Sequence, residues 1–128
     1  MDLKVVAYKR ICYIVRMEVL HYLDQAGKDV FQSWLDKLKD RQARIAIQRR
    51  IDRLADGNLG DCKFCRDEVW ELRADTGPGY RVYYARSGAT VVLLLCGGDK
   101  RSQASDINSA VKHWRAYQLR SGAPHGKH

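Results

Sequence analysis

The stretch Val69 to Cys96, VWELRADTGPGYRVYYARSGATVVLLLC, reads as three consecutive antiparallel strands joined by two glycine turns. Trp70, Leu72 and Ala74 alternate with Val69, Glu71, Arg73 and Asp75, the period of two of a strand with one buried and one wet face. Thr76-Gly77-Pro78-Gly79 combines two residues that tolerate positive φ with one that fixes φ, so the chain reverses there. Tyr80, Val82 and Tyr84 then alternate with Arg81, Tyr83 and Ala85, and Ser87-Gly88 marks a second reversal. Thr90 to Cys96 is apolar on both faces, which suits a central strand covered from both sides. With Trp70, Leu72, Val82 and Tyr84 on the core, the opposite face of the hairpin is expected to present Arg73, Arg81 and Tyr83 as a cationic surface with an aromatic floor.

The flanking segments supply the cover. Glu18 to Asp24 is expected to be a short strand of the same sheet, ending at Ala26-Gly27. Phe31, Trp34, Leu35 and Leu38 fall at helical spacing behind an Asp29 N-cap, and Ala43, Ile47, Ile51 and Leu54 repeat it after the Lys39-Asp40 corner, with Gly57-Asn58 closing the second helix. Arg41, Arg44, Arg49, Arg50 and Arg53 are placed on its outer side, either as a solvated face or as a contact for RNA or a protein. Ile107, Ala110, Val111 and Trp114 mark one face of a last helix, capped by Ser102 or Ser105. The expected fold class is therefore α+β: a mainly antiparallel sheet with an N-terminal helical hairpin and a C-terminal helix. Residues 17–119 form the domain, 1–16 are an extension matching neither template, and 120–128 a disordered tail.

A chain of 128 residues with 45% apolar content fits one domain with one modest core. The net charge of +8 and the pI near 9.5 favour a polyanionic partner, nucleic acid or an acidic protein. No apolar run approaches the roughly 20 residues that span a bilayer, so no membrane partner is expected. Met1 to Arg16 lacks a signal-peptide cleavage site, and four scattered cysteines point to a reducing cytoplasm. Leu59 to Asp67 is read as a loop, and its Cys62–Cys65 pair lacks the second pair that structural zinc needs. Gly97-Gly98-Asp99-Lys100-Arg101 lacks the spaced glycine and following hydroxyl of a phosphate loop. His113 has no acid or nucleophile at a partnering spacing and is placed on a helix surface or half-buried. No cofactor and no metal site are expected.

The string ELR–x3–GPGYRVYY followed by VVLLLCGGDKRSQ–x2–DI closely resembles the HigB-like addiction module killer branch of the RelE/ParE toxin superfamily, from about Met17 to about Leu119. That resemblance implies a toxin of a type II toxin-antitoxin module, with a cognate antitoxin as partner, messenger RNA on the ribosome as substrate, and operator DNA reached only through the antitoxin complex. The superfamily contains ribosome-dependent RNA endonucleases and gyrase poisons. A non-enzymatic gyrase-binding toxin and a degenerate module that only pairs with an antitoxin and operator DNA therefore stay open beside RNA cleavage.

Metal-free RNA cleavage needs proton transfer at the attacking and leaving oxygens and cations around the phosphorane. Arg73, Arg81 and Lys100 can supply the cations, and Arg101 adds to RNA binding. Tyr83 can stack a base. The resemblance carries Arg81, in the GYR motif, onto the family's phosphate-contacting arginine, Arg73 onto a neighbouring basic position, and Lys100 onto the basic residue after the last strand. RNA-cleaving relatives have lysines where this chain has Val69 and Glu71, and a tyrosine or histidine where it has Asp106. General acid and base are thus unassigned, with Lys63, Tyr83, Glu71 and Asp106 as candidates.

Overall fold

The computed structural model describes residues 4–8, 11–58 and 60–122, with side chains from residue 16 onward. Two strands, β1 (Lys4–Tyr8) and β2 (Ile11–Val15), pair with each other as a separate two-stranded sheet. The main sheet has five strands in the order β3-β7-β6-β5-β4. These are β3 (Glu18–His21), β4 (Cys62–Arg66), β5 (Val69–Ala74), β6 (Tyr80–Ser87) and β7 (Val91–Asp99). Every pairing is antiparallel except β3 with β7, so the expected α+β class and mainly antiparallel sheet hold. Residues 123–128 of the expected tail lie outside the described residues, and the last helix runs through Arg120 to Ser121.

Helices α1 (Val30–Lys37) and α2 (Arg41–Ala55) begin where short acids can cap them: Asp29 accepts from the Gln32 N–H and Asp40 from the Ala43 N–H. Their apolar stripes, Phe31 and Leu35 with Ile47, Ile51 and Leu54, bury against Leu72, Val82, Tyr84, Val92 and Leu94. Helix α3 (Gln103–Ser121) covers the other face, where Ala110, Val111 and Trp114 meet Val69, Tyr83, Ala85, Leu93 and Leu95. The hairpin was expected to keep one face wet. The α3 stripe instead needed an apolar floor, and Tyr83, Ala85, Leu93 and Leu95 alternate so as to provide it.

Gly97 and Gly98 let both layers approach β7. A Cβ on Gly97 would overlap the Trp34 ring of α1, and one on Gly98 would overlap the Asp106 carboxylate of α3. Consecutive strand residues point to opposite faces, so one glycine serves each layer.

The segment read as a loop before Val69 is the edge strand β4, which corrects that expectation. Its hairpin turns on Asp67 and Glu68 at φ 50° and 71°, a conformation usually given to Asn-Gly. Helix α3 holds this turn, since Trp114 Nε1 donates to Glu68 Oε1 at 2.7 Å and Arg115 lies 3.7 Å from Asp67. No helix among the described residues is long and apolar enough to cross a membrane.

Candidate functional site

The register brings the charged residues of the central strands into two adjacent rungs on the α3 face. Lys63, Glu71, Tyr83 and Cys96 line up across β4, β5, β6 and β7, and Arg73, Arg81 and Gly98 form the next rung. Residues two apart on a strand share a face, so both rungs meet the first turns of α3.

Glu71 is the centre. Its side chain is 1% exposed, and its two oxygens face different partners. Arg73 Nε donates to Oε2 at 2.8 Å, and Arg81 Nε stands 3.8 Å from the same oxygen. Gln103 Nε2 donates to Oε1 at 2.9 Å, and the Cys65 thiol lies 3.8 Å from it. Burial alone would raise the Glu71 carboxyl, but the hydrogen bonds from Arg73 and Gln103 and the charges of Arg81 and Arg73 outweigh it and hold it below the ordinary range. The carboxylate is therefore an anion surrounded by donors, the arrangement a buried charge requires. Burial, reinforced by Glu71, pushes the Cys65 thiol up to about 11, so it remains a neutral donor.

The two arginines are positioned differently. Arg73 is 31% exposed, and its backbone carbonyl receives a 3.0 Å bond from Arg50 Nε of α2. Arg81 was expected to point into solvent, yet its side chain is 11% exposed, because Glu71 draws it inward and α3 roofs the strand. Its Nε makes no hydrogen bond among the described residues. Lys100 is exposed at the end of β7. Its Cβ and Arg81 Nη1 flank the Gly79 turn, 3.8 and 4.0 Å from where a Cβ on Gly79 would stand. Arg101 is exposed and paired with Asp99 at 3.2 Å. Lys63 is exposed on β4, across the rung from Glu71.

Tyr83 departs most from expectation. It is fully buried, packed with Trp114, Val111 and Ala85, and offers no exposed face on which a base could stack. Burial, then Glu71 and Asp106, raises its hydroxyl, which has no partner among the described residues. Asp106 lies over Gly98, and Ser102 Oγ donates to its Oδ2. Burial raises its carboxyl, the Ser102 bond works against this, and Asp99 adds to it.

The outward arginine run on α2 is also divided. Arg50 turns inward to the Arg73 and Asp61 carbonyls and Arg44 bonds the Leu38 carbonyl, while Arg41, Arg49 and Arg53 are exposed. His113 is half-buried, stacked on Tyr22 with ring centroids 4.6 Å apart. Beside Glu71, a cleft of about 370 Å³ opens between β4 and α3, lined by Lys63, Cys65, Glu71, Gln103, Ile107 and Asn108. Among the described residues no group of three His, Cys, Asp or Glu side chains is placed to hold a metal ion.

The sequence singles out Arg73, Arg81, Lys100 and Lys63 but not the Gln103 and Cys65 donors around Glu71. Gln103 lies 32 residues from Glu71 and carries no local signal of that contact. The family profile described as Phage derived protein Gp49-like (DUF891) matches residues 33–114. An uncharacterized protein of Haemophilus influenzae (strain Rd) is 51% identical over 80 residues, which cover 62% of this chain and 81% of that protein.

Proposed function

This chain belongs to the phage-derived Gp49-like family, and from that membership we propose that it is the toxin of a type II toxin-antitoxin module, of the HigB-like RelE/ParE kind, that cleaves messenger RNA on the ribosome. The observation that carries the proposal is the Arg73–Arg81 rung, two arginines paired across the strands with one buried carboxylate between them, hydrogen-bonded to Arg73 and 3.8 Å from Arg81. Cations set in place before reaction stabilise a phosphorane better than mobile ones, since little reorganisation accompanies the developing charge. Arginine suits the role because its fork binds two phosphate oxygens and stays protonated.

In this reading a 2′-hydroxyl attacks its own phosphate and the 5′-oxygen leaves, giving a 2′,3′-cyclic phosphate. Arg81 and Arg73 hold the phosphate oxygens and Lys100 the strand beyond. Asp106, raised by burial and set over the strand next to Arg81, is the candidate proton carrier on one side, and Lys63 on the other. The exposed Arg41, Arg49 and Arg53 and the net charge of +8 suit an acidic antitoxin, which would bring the complex to operator DNA.

Three observations favour a non-enzymatic toxin that binds gyrase: both arginines are already paired within the chain, Tyr83 is withdrawn, and α2 displays exposed arginines. Translation in a cell-free extract separates the readings. RNA cleavage predicts arrest with fragmented message; arrest failing to appear, or message staying intact, would reject it.

A further inference from the structure

The cleft beside Glu71 has polar capacity that the fold does not use. Glu71 is ionised and can only accept, so Gln103 must turn its NH2 toward Glu71 Oε1, which leaves the Gln103 amide oxygen without a hydrogen bond among the described residues. Arg66 can only donate, so Asn108 must offer it Oδ1, which leaves the Asn108 NH2 equally unused. These two amide orientations follow from the chemistry of their partners. Beside the charged Lys63, Arg66 and Glu71 that also line it, the cleft thus carries one free amide acceptor and one free amide donor, with Phe64, Ala104, Ile107 and the neutral Cys65 thiol forming its apolar walls.

Its volume, about 370 Å³, lies within the range of small-molecule sites, about 300–1,000 Å³. Such sites pair apolar walls with a few fixed polar groups that set orientation. The location matters equally. Glu71 touches the arginine pair through Oε2 and the cleft through Oε1, so a ligand in the cleft adjoins a phosphate held by Arg73 and Arg81. An unstacked base next to a held phosphate is how single-stranded RNA is commonly read.

We propose that the cleft seats one nucleobase of single-stranded RNA, and that the free amide oxygen of Gln103 and the free NH2 of Asn108 set which base is preferred. The inference rests on the RNA-cleaving reading and adds the subsite that gives it sequence preference. Gln103 and Asn108 are specificity residues here, since neither contacts the reacting phosphate.

The test is binding of the four ribotrinucleotides ApApA, CpCpC, GpGpG and UpUpU to the full chain, followed by the side-chain NH2 resonances of Gln103 and Asn108. Both resonances are expected to shift, with affinities spread over at least about fivefold among the four, the factor that one ordinary hydrogen bond carries. Gln103→Met, which keeps the length and removes the oxygen, should flatten the spread to under about twofold. Because Gln103 also supports Glu71, Ala104→Phe provides a second variant at an exposed helix position whose ring would fill the cleft. It should remove the shifts at Asn108 while the protein stays folded. Equal affinities, unmoved resonances, or Ala104→Phe binding as the wild type would each overturn the inference. Fragmented message without these shifts would leave RNA cleavage standing and reject the subsite; shifts without fragmentation would do the reverse.

Discussion

Replacing Glu71 by alanine should be among the most damaging single changes in the sheet. The carboxylate is 1% exposed, and its loss removes the bonds to Arg73 and Gln103 and leaves Arg81, at 11% exposure, without an ion pair among the described residues. Removing one partner of a buried ion pair costs roughly 3–5 kcal/mol. Arg73 is 31% exposed and can rehydrate, which places this case at the lower end, about 3 kcal/mol. With a urea dependence of about 1.5 kcal/mol per molar, the unfolding midpoint should fall by about 2 M. Glu71→Gln keeps the shape and one acceptor for Arg73 but loses the charge, so it should fall between alanine and wild type. The sign with pH follows from the depressed carboxyl. Its contribution is present above the ordinary carboxylate range, about 4.3, and fades as pH falls through the lower folded value. The gap between wild type and Glu71→Gln should therefore close in acid. Equilibrium urea unfolding followed by circular dichroism measures each quantity. An alanine variant within about 0.5 kcal/mol of wild type at neutral pH, the range of an ordinary surface change, would refute this reasoning.

Other expectations follow from the packing. Gly97→Ala should lower stability by about 2–3 kcal/mol because the rigid Trp34 ring blocks the new methyl, and Gly98→Ala by about 1 kcal/mol because the Asp106 side chain can swing aside; thermal denaturation would rank them. Burial lowers His113 on Tyr22, so its contribution is present above about pH 6.5 and lost as pH falls through the depressed folded value; His113→Phe should reduce the loss of melting temperature between pH 7 and 5. Deleting residues 1–16 should change stability by under about 1 kcal/mol, since β1 and β2 form their own sheet; a drop of several kcal/mol would make that strand pair part of the core.

Much of this architecture was legible because its signals are local. Asp29 announces the first helix by capping, the Lys39-Asp40 corner separates it from the second, and the GPG turn with its flanking alternation fixes the β5–β6 hairpin. Strand β4 was missed because its turn uses Asp67-Glu68 without glycine and its only large apolar side chain, Phe64, is half exposed. Tyr83 was misplaced for a different reason. Alternation tells which residues share a face, but the choice of face covered by α3 is a tertiary matter, and the same cover drew Arg81 out of solvent. Gly97-Gly98 could be read only as a rejected phosphate loop until Trp34 and Asp106 were seen above and below it.

The most direct test concerns Arg81 in a translating extract. Arg81→Ala leaves Glu71 still bonded to Arg73 and Gln103, so it should remain folded, at a cost of about 1–2 kcal/mol for losing a mostly buried partner. Removing one fixed group that stabilises developing charge costs about two to three powers of ten in rate. Added to ribosomes translating a defined message, folded Arg81→Ala should leave the message intact at concentrations where wild type fragments it, and Arg81→Lys should recover little because a point charge lacks the bidentate grip. Fragmentation by folded Arg81→Ala at the wild-type rate would contradict an RNA-cleaving site built on the arginine pair.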